Sequence, residues 1–297
     1  MAQITTYDDG NLLEDVMLSV TNIAPTDRPF TESIGRKRAT QPLHQWPEDT
    51  LDARASAATL EGANIPVGTS VSPSRVTNYT EYVTQTWQVT NTEIASKGAG
   101  VDDMFMYQRN KKMKVLINDI EYDLINSTLV TGSKTVTRKM AGAIAFITSN
   151  VVTATSGVTL TEVGFNALFQ LAWAAGGNPR SVFVNSNLKK AITGFAGVSL
   201  QKQIQAEKKT MVNAIDFYIN DYTGTAEILL SRDVPNTPGS EVIMIIDTSF
   251  FSTAYLIPIR DAEVGQTTFG KLGALEAELT LEVRAQAGNS IGTNYNN

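Results

Sequence analysis

Cysteine is absent from this chain of 297 residues. That removes disulfides, thiolate metal ligands and thiol nucleophiles together, and leaves stability to packing and association. Histidine is nearly absent: His44 stands alone beside Pro42, Trp46 and Pro47, so an imidazole zinc site or a serine hydrolase triad lacks its parts. His44 reads as a packing or surface residue. A surplus of basic charge is missing too. The formal net charge is −6, opposite to the footprint of a dedicated nucleic-acid reader, so contact with DNA is expected to be enclosure without sequence readout. No stretch approaches the roughly 18 apolar residues of a membrane span. Residues 1–10 lack the basic start and apolar core of a secretory signal, so a cytoplasmic beginning and no membrane partner are expected. A Walker-type phosphate loop is also missing, because Gly270-Lys271 is followed by Leu272 and has no glycine at the required spacing. Gly98 and Gly100 precede a helical pattern; a hinge is the simpler reading and an anion-binding turn the alternative.

What is present is an ordinary globular composition, 42% hydrophobic, long enough for one large domain or two modest ones. Residues 1–40 carry a short helical pattern, Leu12, Leu13, Val16, Met17 and Val20, then Pro25, Pro29 and a basic cluster of Arg28, Arg36, Lys37 and Arg38. A solvated arm is the plain reading; a partner-binding arm is the sharper one. Residues 41–96 contain Pro42, Pro47, Pro66 and Pro73 and a run rich in Thr, Val and Tyr. The alternation over 76–89 leaves both faces mixed, as in a projecting hairpin that needs a neighbour to cover it.

The strongest helix signal covers 102–130, opened by Asp102 and Asp103, with Met113, Leu116, Ile117, Ile120 and Leu124 at three-to-four spacing and Gly132 as the stop. Its basic residues, Arg109, Lys111, Lys112 and Lys114, precede its acidic ones, Asp119, Glu121 and Asp123, against the helix dipole. A solvated surface explains this order; a pairing face for another subunit is the alternative. A strand and turn region over 140–160 leads to a helix opened by Glu162 and stopped at Gly176-Gly177, then a strand at 181–185 and a helix at 187–193. A hairpin of 214–220 with 225–231 turns near Tyr222-Thr223-Gly224. In the strand-rich last third, Leu275, Ala277, Leu279, Leu281 and Val283 alternate with Glu276, Glu278, Thr280 and Glu282, a half-buried pattern. The Gly/Asn-rich tail from 287 reads as flexible.

Carboxylate pairs deserve a test as acid and base, and each has a simpler role. Asp102-Asp103 caps a helix, Asp119 and Asp123 lie one turn apart on a charged surface, and Glu276 and Glu278 line the polar side of a strand. Trp46, Tyr79, Tyr82 and Trp87 would suit stacking on single-stranded nucleic acid, but only Arg54 and Arg75 are Lys or Arg over 41–96 before the lysine at 97. Aromatics on an acidic ribbon fit a protein interface better.

TDRPFTESIG over 26–35, QWPEDTL over 45–51, DIEYDL over 119–124, Ala141-Gly142, and EAELTLEV over 276–283 followed by Ala287-Gly288 together resemble the major capsid proteins of tailed double-stranded DNA phages. The resemblance spans nearly the whole chain and implies the Hong Kong 97-like fold, an α+β architecture. Its parts would be an N-terminal arm at 1–40, an extended loop at 41–96, a peripheral domain with a long spine helix at 97–160, an axial α/β domain at 161–258, and the peripheral terminal strands and tail at 259–297. It implies a structural subunit, not an enzyme and without cofactor or metal, of a self-assembling icosahedral head around packaged DNA, located in the virion and assembled in the host bacterial cytoplasm. Implied partners are other copies in hexamers and pentamers, a portal, and separate scaffold or decoration proteins. A tail-tube or other virion structural protein is the alternative, disfavoured by the long helix. The candidate subunit contacts on the loop are Trp46, Arg54, Glu61, Arg75, Tyr82 and Trp87. Some relatives crosslink neighbours through a lysine of this loop; no lysine occurs between Lys37 and Lys97, so a shell without that bond is expected.

Overall fold

The structure, a computed structural model, describes residues 26–51, 58, 60–64, 72–96, 101, 103–195, 204–205, 210–211, 216–265 and 269–296. The apolar pattern of 12–20, Asp102 and Arg54 lie outside the described residues. In chain order the elements are Pro29–Ser33 (α1), Gly35–Arg38 (β1), Leu43–Glu48 (β2), Ser74–Tyr79 (β3), Glu81–Thr90 (β4), Asn91–Ala95 (α2), Met104–Asn126 (α3), Ala143–Phe146 (α4) and Val151–Val158 (β5). They continue with Glu162–Ala174 (α5), Ser181–Val184 (β6), Ser186–Thr193 (α6), Ile204–Gln205 (β7), Thr210–Met211 (β8), Phe217–Asn220 (β9), Gly224–Leu230 (β10), Glu241–Ile246 (β11), Phe251–Ala262 (β12), Gly270–Val283 (β13) and Ser290–Tyr295 (β14).

Two compact units emerge. The larger comprises Asp27–Val83, Ile117–Arg260 and Glu276–Asn297; the smaller comprises Met1–Thr26, Thr84–Leu116 and Asp261–Leu275. In the larger unit a six-stranded sheet runs in the order β5-β14-β11-β6-β10-β9. Its central strand β11, sequence EVIMII, is buried at every position, as expected of a strand covered on both faces. On one face Val182, Val184, Ile243 and Ile245 pack with Phe165, Leu168 and Phe169 of α5 and Leu188 and Ile192 of α6. These helices form where side chains close their first turns: Thr161 accepts from Gly164 N, and Asn185 accepts from Leu188 N. The intervening Phe183 belongs to the opposite side, 5.5 Å from the Phe30 ring, which in turn lies 6.0 Å from Phe251.

The helix expected over 102–130 is α3, shorter at 23 residues or about 34 Å. Asp103 caps it by accepting from Phe105 N and Met106 N. The stop is six residues before Gly132, which instead takes φ 74° in the turn that brings Val130 against Lys139. The strand expected over 76–89 is two strands, parted at Thr80.

Three expectations are corrected. The tail from 287 is not a flexible end: β14 lies between β5 and β11, with Ile291 and Tyr295 buried. Its sequence shows little apolar alternation because it packs by backbone. A Cβ on Gly292 would come within 2.8 Å of Ile243 Cγ2 and 3.1 Å of Leu168 Cδ1. The basic stretch before residue 40 is not a free arm: Phe30 is fully buried, and β1 pairs parallel with β12, Gly35 opposite Ser252. The polar side of β13 is not a solvent face, because Glu278, Thr280 and Glu282 are buried like their apolar neighbours.

Candidate functional site at the root of the extended loop

Strands β2 and β3 form an antiparallel ladder from Leu43 opposite Tyr79 to Glu48 opposite Ser74. Where that ladder meets the rest of its unit, polar groups carry most of the connections. Asn78 is fully buried and uses all its side-chain capacity: Nδ2 donates to Ala141 O at 3.1 Å and Leu281 O at 2.8 Å, and Oδ1 accepts from Ala141 N and Tyr79 N at 2.9 Å each. Next to it, Thr80 N donates to Pro42 O, and Arg138 Nε donates to Thr80 O at 2.6 Å. Arg138 and Thr80 Oγ1 also both donate to Glu278. The close approach at Ala141-Gly142 requires glycine, since a Cβ at Gly142 would sit 2.8 Å from Ile125 O.

Glu282 lies two residues along the same face of β13 as Thr280 and four from Glu278. Its side chain is 4% exposed and receives Lys37 Nζ at 2.6 Å, with His44 Nε2 at 3.2 Å. Burial alone would raise this carboxyl, but Lys37 and His44 outweigh it and hold it below the ordinary value. His44 therefore packs at the root, 5.6 Å from the Trp46 ring. Trp46 Nε1 donates to Val283 O at 3.0 Å, and its ring packs on Phe146. Glu276 accepts from Tyr82 and from Arg260 Nε at 2.7 Å. That hydrogen bond is the main reason the Tyr82 hydroxyl is raised and the Glu276 carboxyl lowered.

A related contact ties down the segment before β1. Glu121 of α3 is fully buried and accepts from Phe30 N at 2.9 Å, Thr31 N at 2.8 Å and the Thr31 hydroxyl. These are amides that the first turn of α1 leaves without partners inside the helix. Burial raises the Glu121 carboxyl, the Thr31 and Phe30 hydrogen bonds oppose it, and Asp233 adds a smaller push upward.

In the smaller unit Trp87 packs 5.5 Å from Phe105. A Cβ on Gly273 would come 2.3 Å from the Trp87 ring, so glycine makes room for the indole. Arg109 binds Asp261 through Nε at 2.8 Å and Nη2 at 2.6 Å, which lowers the Asp261 carboxyl.

The loop residues singled out in the sequence thus separate. Trp46 and Trp87, 5% and 6% exposed, are spent inside the chain and are not free aromatic anchors. Tyr82 is partly exposed with its hydroxyl engaged, and Glu61 and Arg75 are exposed, with no salt bridge among the described residues. The carboxylate pair Glu276 and Glu278 is divided between different partners. Among the described residues no group of three or more His, Cys, Asp or Glu is placed to hold a metal ion. Asn78, Glu121, Arg138 and Glu282 were missed as individual residues, yet the segments resembling the capsid family meet here. TDRPFTESIG meets DIEYDL through Glu121, and QWPEDTL meets EAELTLEV through Trp46.

The family described as SU10 major capsid protein matches residues 2–296. No curated protein matches the chain. Among solved structures, the capsid of a native GTA particle, computed with C5 symmetry, matches with TM-score 0.70 at 11% identity, covering 98% of this chain and 97% of that one. Gordonia phage Cozz matches with TM-score 0.65 at 13% identity, over 95% of this chain and 91% of that one. For Mycobacterium phage Adephagia the values are 0.62, 14%, 99% and 98%. These likenesses show the fold, which is Hong Kong 97-like as the resemblance implied. With the family matched along nearly its whole length, the chain belongs to the SU10 major capsid protein family and is a structural subunit of a capsid shell, not of a tail tube.

Proposed function

We propose that the shell is an icosahedral phage head around packaged double-stranded DNA, that its subunits associate as pentamers and hexamers of this chain, and that the chain catalyses no reaction. The observation that carries this reading is a loop with a fixed root and, beyond it, large apolar side chains among the described residues left in water: Leu51 is 98% and Leu60 84% exposed. Apolar surface left in water forgoes about 25 cal/mol per Å² that a covering partner recovers. A neighbouring copy supplies the cover. Tyr82, Glu61, Arg75 and Arg54 are its contact residues, while Trp46 and Trp87 hold the loop's ends from inside. Single surface ion pairs contribute about 0–1 kcal/mol, so strength comes from repetition around a closed shell.

A portal and separate scaffold or decoration proteins complete the partners, and assembly takes place in the host bacterial cytoplasm. Contact with DNA is non-specific, in keeping with a net charge of −6. The division into arm, extended loop, peripheral and axial parts belongs to the same proposal, with β14 moved to the axial sheet. Deleting residues 55–75 is expected to leave a soluble, folded chain that closes no shells in electron micrographs. Normal particles from the deletion reject the reading. Mature particles on a denaturing gel are expected to run as monomer alone, because Lys37 lies on β1 and pairs with Glu282; a ladder of covalent multimers would show a crosslink that this chain is proposed to lack.

A further inference from the structure

We propose that Arg28, Arg36 and Arg38 form a contact surface for the phosphate backbone of duplex DNA, whatever its sequence. Residues 28–38 hold four basic side chains and one acidic one, in a chain whose net charge is −6. The fold divides the four. Side chains alternate along β1, so Lys37 turns to Glu282 on one face while Arg36 and Arg38 share the other. None of Arg28, Arg36 and Arg38 forms a salt bridge among the described residues. All four residues of β1 are exposed. Like charges gathered on one short segment repel one another, and a bound anion relieves that repulsion.

The surroundings favour a polyanion. Arg28 and Arg36 border a groove of about 520 Å³ whose lining includes Ile117, Ile120 and Ile259, with Glu32 as its one carboxylate. An apolar lining brings no counter-ion and screens the charges beside it less than water does. Burial raises the hydroxyl of Tyr255, in the same groove, and Arg36 opposes the rise, so a guanidinium and a hydroxyl donor lie near one another. Arg36 and Arg38 stand about 6.6 Å apart along the strand, close enough to reach phosphates of one DNA strand together. Guanidinium groups bind phosphate through paired N–H donors, and β1, sequence GRKR, offers no apolar side chain to anchor a protein partner. Three contacts from one copy bind weakly; a long duplex that touches many copies adds them together.

The inference rests on the head reading for the source of its DNA and is tested apart from it. Soluble chain is titrated into a fluorescein-labelled duplex of about 20 base pairs, and anisotropy is read from about 20 to 150 mM salt. Two duplexes of unrelated sequence should bind alike. Log affinity should fall against log salt with a slope of about −2.7, about 0.9 for each of three phosphate contacts. Arg28→Gln, Arg36→Gln and Arg38→Gln together should flatten that slope and weaken binding at the lowest salt at least about tenfold, and each alone should remove about 0.9 of the slope. Lys111→Gln, Lys114→Gln and Lys134→Gln remove the same charge from other exposed positions and should leave the slope unchanged. Should the arginine triple melt early, the single Arg38→Gln on the exposed strand decides by its slope. No binding by the unmodified chain at the lowest salt overturns the inference, as does an equal loss from the lysine triple. So does competition by inorganic phosphate at matched ionic strength, which would mark a small-anion site. An arginine triple that binds DNA as before but closes no shells in electron micrographs makes the surface a subunit contact and also overturns it. In each case shells from the unmodified chain leave the head reading intact. Failure of that chain to form shells counts against the head reading, and the titration still decides this one.

Discussion

The six-stranded sheet and the root of the extended loop lie in one compact unit but are held by opposite kinds of interaction. The sheet is apolar on both sides of β6 and β11, with Phe165 meeting Phe169 and Tyr218 at ring distances of 5.2 and 5.0 Å. The root is joined by an amide, buried carboxylates and a guanidinium. Apolar packing is non-directional and accepts many arrangements of similar volume. Hydrogen bonds to buried charges accept few, so the root fixes the angle at which the loop leaves while the sheet supplies bulk stability. For a shell subunit this is a useful division, because a small error in the loop's angle is carried along its length to whatever it touches.

The largest expected effect tests the apolar half. Phe165→Ala empties a site at which the side chain is fully buried, and should lower unfolding free energy by about 3–5 kcal/mol in urea titrations. Leu168→Met, close to volume-conserving at another fully buried site, should cost less than about 1.5 kcal/mol. At the root even a swap of similar size should fail. Asn78→Leu leaves Ala141 N, Tyr79 N and the carbonyls of Ala141 and Leu281 without their partner, at a cost of about 2–3 kcal/mol. If Asn78→Leu is as mild as Leu168→Met, the contrast between the two regions is wrong.

The same contrast explains what could be read in the sequence. Apolar periodicity located α3, α5, α6, β6, β11 and β13 because burial of one face or both dictates it. β14 was missed for the converse reason: its place in the sheet is secured by what Gly292 lacks, and a missing side chain leaves no periodic trace. The buried polar side of β13 was misread as a solvent face, since Glu276, Glu278 and Glu282 look alike in sequence whether water or Arg260, Arg138 and Lys37 receives them. The partners of the root are far apart in the chain. Asn78 with Leu281 and Phe30 with Glu121 are separations that no local pattern encodes. Trp46 and Trp87 were recognised as important but assigned to a neighbour, because a sequence shows that an indole needs cover and not which surface provides it.

The smallest effect tests whether charge, and not only shape, matters beside the root, where Asp123 of α3 lies against the close approach at Gly142. Burial raises the Asp123 carboxyl to about 6, Glu81 pushes the same way, Lys139 opposes, and Asp119 adds to the rise. The folded chain therefore holds this proton more tightly than the unfolded chain, whose ordinary value is 3.8. Stability from this group is fully present below that value and is lost as pH climbs to about 6, after which the penalty is constant. Asp123→Asn removes the penalty. Discounted for water around a partly exposed group, the gain at pH 7 should be about 1 kcal/mol, or about 2 °C in melting temperature. It should shrink towards zero by about pH 4, whereas Phe165→Ala should cost nearly the same at both pH values. An equal gain from Asp123→Asn at pH 4 and pH 7 would mean that the aspartate is disfavoured for its shape or hydrogen bonding, and that crowded carboxylates do not distinguish the root from the sheet.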